Sequence, residues 1–110
     1  MEFLIEKGAK VNANPANGWT PIAYAADNGN VEILNILVKK GADVNFQDSD
    51  GDTVLMAAAK KGNCDAVDFL IRKGVRVNAR NKKGETALKI AIDGGHGNVK
   101  GLLRSHGATE

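Results

Sequence analysis

The stretch GWTPIAYAADNGNVEILNILVKKGADVN, from Gly18 to Asn45, decides the fold because it recurs along the chain. Gly18, Gly51 and Gly84 fall 33 residues apart, as do Gly29, Gly62 and Gly95, and Gly8, Gly41, Gly74 and Gly107. Thr20, Thr53 and Thr86 keep the interval, and so do Val11, Val44 and Val77 with their neighbours Asn12, Asn45 and Asn78. Self-similarity at a fixed period of roughly 20–50 residues marks a stacked-repeat architecture. Several independent ladders sharing one period without a gap are not a chance pattern.

Each unit reads the same way in physical terms. A Gly-X-Thr step opens it, and the Thr hydroxyl suits an N-cap, taking an orphan amide of the first helical turn. Pro21 follows Thr20 at the position where a missing N–H costs nothing. Short Ala-rich helices are expected over 22–27, 55–60 and 88–93. Gly29, Gly62 and Gly95 then supply left-handed C-caps. Asn30, Asn63 and His96 lead into second helices, whose aliphatic stripe is Ile33, Leu34, Ile36 and Leu37 in one unit and Ala66, Val67, Phe69 and Leu70 in the next. The i, i+3, i+4 spacing puts such residues on one face. Ile36, Phe69 and Leu102 share one register position and read as core. Lys39-Lys40 and Arg72-Lys73 complement the dipole at the ends of these helices.

The composition fits one small domain packed through aliphatic and Ala contacts. The chain has 110 residues, 43% hydrophobic, 25% charged and only 5% aromatic. The net charge of +2 does not imply nucleic acid. It is unevenly spread: residues 1–50 hold four lysines and seven acids, net −3, and residues 51–110 eleven Lys or Arg and six acids, net +5. Cys64 is the single cysteine, which excludes an internal disulfide and fits a reducing compartment. With no membrane-length apolar run and no signal-like start, the expected location is intracellular, cytoplasmic or nuclear.

These units resemble the ankyrin repeat. Gly18-Trp19-Thr20-Pro21-Ile22-Ala23-Tyr24-Ala25-Ala26 and Gly41-Ala42-Asp43-Val44-Asn45 match the family pattern closely, and Gly95-His96 matches its inter-helix turn. The resemblance implies an all-α solenoid of stacked helix–turn–helix units with short hairpin-like turns. It divides one domain, 1–110, into a partial repeat 1–17 and repeats 18–50, 51–83 and 84–110. The departures are specific. Val54 and Ala87 replace Pro21 in the later units, and the family's His gives way to Ala23, Met56 and Lys89, so its hydrogen bonds are lost or replaced. Lys100 and Arg104 stand where earlier units have Val67 and Ile71, the polar outer face of a terminal repeat. Phe3, Leu4 and Ile5 lack an outer neighbour, which reads as a piece of a longer array, monomeric unless that open edge pairs.

No constellation of catalytic residues is legible, and the expectation is a protein that is not an enzyme and takes no cofactor and no metal. Gly94-Gly95-His96-Gly97 lacks the Lys-Ser/Thr and preceding strand of a phosphate loop and reads as an inter-helix turn. His96 and His106 have no ligand cluster around them, and His96 reads as a helix-capping residue. Nothing places a base beside Cys64. The basic run from Arg72 to Lys89 lacks aromatics for base stacking and includes Glu85, so an acidic protein partner or plain solvation is preferred to nucleic acid.

The resemblance implies a protein partner held by the turn tips and the exposed face of each first helix. By register these positions are Asn17, Trp19, Asp27 and Asn28, then Ser49, Asp50, Asp52, Lys60 and Lys61, then Lys82, Lys83, Glu85 and Asp93. They vary between units while the glycines, threonines and aliphatics stay fixed, as a constant scaffold with a variable face requires. Trp19, the single Trp, takes a tip position held elsewhere by Asp52 and Glu85; it either fills a local gap or anchors the partner, and Trp is enriched at interface hot spots. The alternatives are a spacer segment or an engineered scaffold with no partner of its own. Leu37, Asp43, Val44 and Asn45 also resemble the pattern asparaginyl hydroxylases accept in ankyrin repeats, which Asn12 and Asn78 fit less well. The plain alternative is that these Asn side chains bond their own turns.

Overall fold

The structure, a computed structural model, describes residues 20–109. Among them are six helices: α1 (Pro21–Asn28), α2 (Val31–Lys39), α3 (Val54–Lys60), α4 (Cys64–Arg72), α5 (Ala87–Asp93) and α6 (Gly97–Ser105). They pair as α1–α2, α3–α4 and α5–α6, and the pairs stack in two layers, α1 on α3 on α5 and α2 on α4 on α6. Among the described residues the only β pairing is an isolated antiparallel bridge, Gln47 to Thr53, at a turn.

Why these short helices form follows from their ends and their packing. Seven to nine residues are too few to be stable alone in water. Thr53 and Thr86 cap α3 and α5, accepting from Met56 N at 3.1 Å and Lys89 N at 3.2 Å. Met56, which replaces the family's His, returns a bond: its sulfur accepts from Thr53 N at 3.3 Å. Sulfur is a weak acceptor, so the lost imidazole contact is replaced by a feebler one. Thr20 departs from the expectation. Its Oγ1 is buried and makes no cap bond to α1.

The central first helix shows what stacking does. α3 lies between α1 and α5, and Val54, Leu55, Met56, Ala57, Ala58 and Ala59 are all buried. Alanine runs let helix axes approach closely, so a scarcity of aromatics is no handicap. Each second helix buries a narrower stripe: Leu34 and Leu37, then Ala66, Val67 and Leu70, then Val99 and Leu103. Ile36, expected in the core, is 37% exposed, and its register mates Phe69 and Leu102 are only partly buried. That position lies at the edge of the stripe.

The polar residues that lead into the second helices act in two ways. Asn30 caps its own helix, accepting from Ile33 N at 3.1 Å. Asn63 and His96, at the same register position, reach back to the preceding pair instead. Asn63 Nδ2 donates to Ala26 O at 3.1 Å and Asp27 O at 3.0 Å, and His96 Nε2 donates to Lys60 O at 3.0 Å. They satisfy the last carbonyls of the previous first helix, orphaned as at any helix end. Gly62 therefore has two reasons to be glycine. Its φ is +70°, and a Cβ there would meet His96 Nδ1 at 2.5 Å.

The Asn ladder also crosses between units rather than closing its own turns. Asn45 Oδ1 accepts from Arg76 N at 2.8 Å, and Asn78 Oδ1 accepts from Thr109 N at 2.8 Å. Asn12 lies outside the described residues.

Candidate protein-binding face

The turn tips are built by one side chain each. Asp48 Oδ1 accepts from Asp50 N and Asp52 N, both at 2.9 Å, while its own amide donates to Asp52 O at 3.0 Å. Asn81 repeats the device 33 residues on, accepting from Lys83 N at 2.9 Å and Glu85 N at 3.0 Å. The two tips are laced together. Lys82 N donates to Asp50 O at 3.0 Å, and Gln47 Nε2 donates to Gly51 O at 2.8 Å and to Arg80 O at 3.2 Å. Gly51 permits that approach, since a Cβ on it would lie 2.9 Å from Lys82 N, at a φ of +78°.

Between these tips and the first helices lies an open groove of about 500 Å³. Asp50 and Asp52 line it from one tip, Asn81, Lys82, Lys83 and Glu85 from the other, and Lys60, Ile90, Asp93 and Gly94 from α3 and the α5 end. Of the residues expected at the contact face, the structure thus brings together Asp50, Asp52, Lys60, Lys82, Lys83, Glu85 and Asp93. Asp27 lines a smaller neighbouring groove instead. Asn28, Ser49 and Lys61 are exposed but line neither. Asn17 and Trp19 lie outside the described residues.

The groove's charges are not equally available. Asp93 pairs with Lys89 at 3.1 Å. Asn81 Nδ2 donates to Asp52 Oδ1 at 2.8 Å and Glu85 Oε1 at 3.0 Å, so one amide holds both carboxylates. Lys60, Lys82 and Lys83 are exposed, and no ion pair engages them among the described residues. On the second-helix side Arg72 pairs with Asp68 at 3.0 Å and the Lys73 ammonium sits 5.4 Å from the Phe69 ring centroid.

Sequence reasoning missed Asn81 and Ile90. Ile90 holds the register position of Tyr24 and Ala57, of which Tyr24 is exposed, Ile90 half-buried and Ala57 buried. Nothing in the sequence marks Asn81 as a bridge between two acids. Carboxylate oxygens of Asp48, Asp50 and Asp52 lie within 4.8 Å of one another, a crowding that Asp48's turn-forming bonds account for. Cys64 is half-buried at the start of α4, and Gly94-Gly95-His96-Gly97 forms the turn between α5 and α6.

This architecture, paired short helices stacked by bonded turn tips, is that of a helical repeat protein. A family model described as ankyrin repeats, three copies, matches residues 1–48 and 40–109, and the chain belongs to that family. Ankyrin repeats in general are protein–protein interaction modules rather than enzymes. A search of curated proteins finds no match. No helix among the described residues is long and apolar enough to cross a membrane.

Proposed function

We propose that this chain binds a protein partner through the groove between its two described turn tips, and that the partner is acidic where it contacts Lys60, Lys82 and Lys83. The observation that carries this reading is the imbalance of free charge. Three of the groove's four carboxylates, Asp52, Glu85 and Asp93, are held by Asn81 and Lys89, leaving Asp50 beside three lysines that have no counter-ion among the described residues. Apposed carboxylates would meet solvated cations on a rim, an arrangement that steers association and sets specificity more than it adds affinity. Trp19 belongs to the same proposed face as an anchor.

The test is affinity capture of a partner with the wild-type chain, then titration of that partner against variants. Lys82→Glu with Lys83→Glu should slow association and flatten its salt dependence. Trp19→Ala should cost about 2 kcal/mol or more, the scale of a hot-spot truncation. Arg72→Ala with Lys73→Ala is the control and should change little. A partner lost with the Arg72/Lys73 variant and retained by the others would put the contact on the second-helix side and overturn the reading.

A further inference from the structure

The second-helix layer gathers positive charge at one end. α2 closes on Lys39 and Lys40, α4 on Arg72 and Lys73 at the same register positions, and α6 has Arg104 in its last turn. The three helices stack side by side, so these ends share an edge. Arg76 follows α4 and stays at that edge, since its N–H donates to Asn45 Oδ1 beyond the end of α2. Residues 36–46, 69–79 and 102–109 hold these six Lys or Arg and a single acid, Asp43. Asp68, just before them, pairs with Arg72 at 3.0 Å. Six cations against two carboxylates leave the edge at +4. Lys39, Lys40, Lys73 and Arg76 are exposed, and no ion pair engages them among the described residues.

The helix dipole favours cations in a last turn. It has no bearing on Arg76, which follows the helix, or on the side chains one turn earlier. Ile36 and Phe69 stand there, and Leu102 takes the same position in α6. Spacings of i+3 and i+4 put Lys39 and Lys40 on the face of Ile36, and Arg72 and Lys73 on the face of Phe69. The Lys73 ammonium, 5.4 Å from the Phe69 ring centroid, shows that juxtaposition directly. Ile36 is 37% exposed, and Phe69 and Leu102 are partly buried. None of these residues lines either groove.

We infer that this edge docks on the surface of a bilayer that contains anionic lipid, independently of the groove between the turn tips. Lys39, Lys40, Lys73 and Arg76 meet the headgroups, and Ile36 rests at the boundary with the acyl chains. Basic residues beside apolar side chains on one surface are the composition of an interfacial contact, and clusters of about four to eight Lys or Arg suit anionic lipid. Glu32 and Asp65 lie in the first turns of α2 and α4. At ~1.5 Å per residue they stand about 11 Å from the basic pairs, beyond a Debye length of about 10 Å at 0.1 M salt, so they oppose the contact little. A nucleic-acid backbone would satisfy the cations but has no use for the apolar row, and the Phe69 ring already has Lys73 over it.

The test is co-sedimentation of the whole 110-residue chain with vesicles of equal parts phosphatidylcholine and phosphatidylserine, beside vesicles of phosphatidylcholine alone. Binding to the mixed vesicles only, lost at high salt, is the expected result. Lys39→Gln with Lys40→Gln should lower partitioning by about tenfold or more, since each cation near an anionic surface is worth about fivefold. Ile36→Ser should lower it severalfold by removing apolar contact. Both changes fall at exposed positions, and melting curves close to wild type are expected beside the loss of binding. Sedimentation with neither vesicle, or equally with both, overturns the inference. So does loss of binding in a Lys82→Gln, Lys83→Gln variant with wild-type binding in the Lys39/Lys40 variant, which would move the lipid to the groove. An Ile36→Ser chain that binds vesicles as wild type does, together with equally tight binding of polyuridylate, would make the edge a general polyanion site and overturn the bilayer assignment.

Discussion

Gly62→Ala tests the device that links the second and third units. Two costs arise, and a second glycine separates them. Gly62 and Gly95 hold the same register position with φ of +70° and +73°. At Gly95 a Cβ meets nothing within 4 Å, whereas at Gly62 it meets His96 Nδ1 at 2.5 Å and Cε1 at 2.8 Å. The ring also lies close to Gly94, where an added Cβ would fall 2.8 Å from Cδ2, so it depends on a second glycine. Left-handed backbone costs an L-residue about 1–2 kcal/mol, partly offset by about 0.4–1 kcal/mol from a stiffer unfolded chain. Gly95→Ala should therefore lose about 1 kcal/mol. Gly62→Ala should lose about 2–3 kcal/mol, because displacing the ring also breaks its bond to Lys60 O, worth about 1 kcal/mol. Urea unfolding followed by circular dichroism at 222 nm resolves such differences, with stability proportional to the midpoint at constant slope. In a His96→Ala background the excess should vanish, which a double-mutant cycle measures directly. Equal losses for the two glycine variants, or an excess that survives removal of His96, would refute the reasoning.

Leu55→Ala, wholly buried in α3, should cost about 2–5 kcal/mol, a large share of the roughly 5–15 kcal/mol a domain holds; a thermal midpoint within a degree of wild type would show that α3 is not the core. Asn81→Asp keeps both turn bonds at Oδ1 but turns a donor into an oxygen facing Asp52 and Glu85. It should destabilise by about 1–2 kcal/mol at low salt and less at 1 M salt, where the Debye length falls to about 3 Å. A salt-independent loss in the same unfolding assay would count against charge crowding there. Asn45 should be oxidised by an asparaginyl hydroxylase in preference to Asn78; because its Oδ1 accepts from Arg76 N, the rate should rise in a stack loosened by Leu55→Ala. Peptide mass spectrometry finding oxidation at Asn78 alone would contradict it.

The repeat made the scaffold legible because a stacked array solves one packing problem several times. Register alone placed α1, α3 and α5 to within one residue of their observed ends, and the left-handed glycines followed from the same period. The pattern left the outcome open where one residue type has two uses of similar energy. A polar side chain before a helix can bond its own first-turn amides, as Asn30 does, or the previous helix's last carbonyls, as Asn63 and His96 do. Which use prevails depends on how close the neighbouring unit lies, a distance no local pattern carries. The same holds for Ile36. Its aliphatic run Ile33-Leu34-Asn35-Ile36-Leu37-Val38 is apolar around most of the helix, and only the position of the next unit decides which part is covered.

For the proposed contact face, the sequence identified charged positions but not which charges were held. Asp52, Glu85 and Asp93 look as available as Lys60, Lys82 and Lys83 when written in a line, yet the first three are held by Asn81 and Lys89. Identity is fixed where a bond depends on it. Asp48 and Asn81 differ in charge, but both keep the Oδ1 that closes the turn. Where no side-chain bond is at stake, sign changes freely between units: Ser49 faces Lys82 in register, Asp50 faces Lys83, and Asp27 precedes Lys60. A surface charge of that kind can be reversed for about 0.5 kcal/mol or less in stability, while its effect on a charged partner is not bounded by the fold. If the tips hold the partner as proposed, partner choice can therefore be retuned there without disturbing the buried stripes and glycines that keep the units stacked.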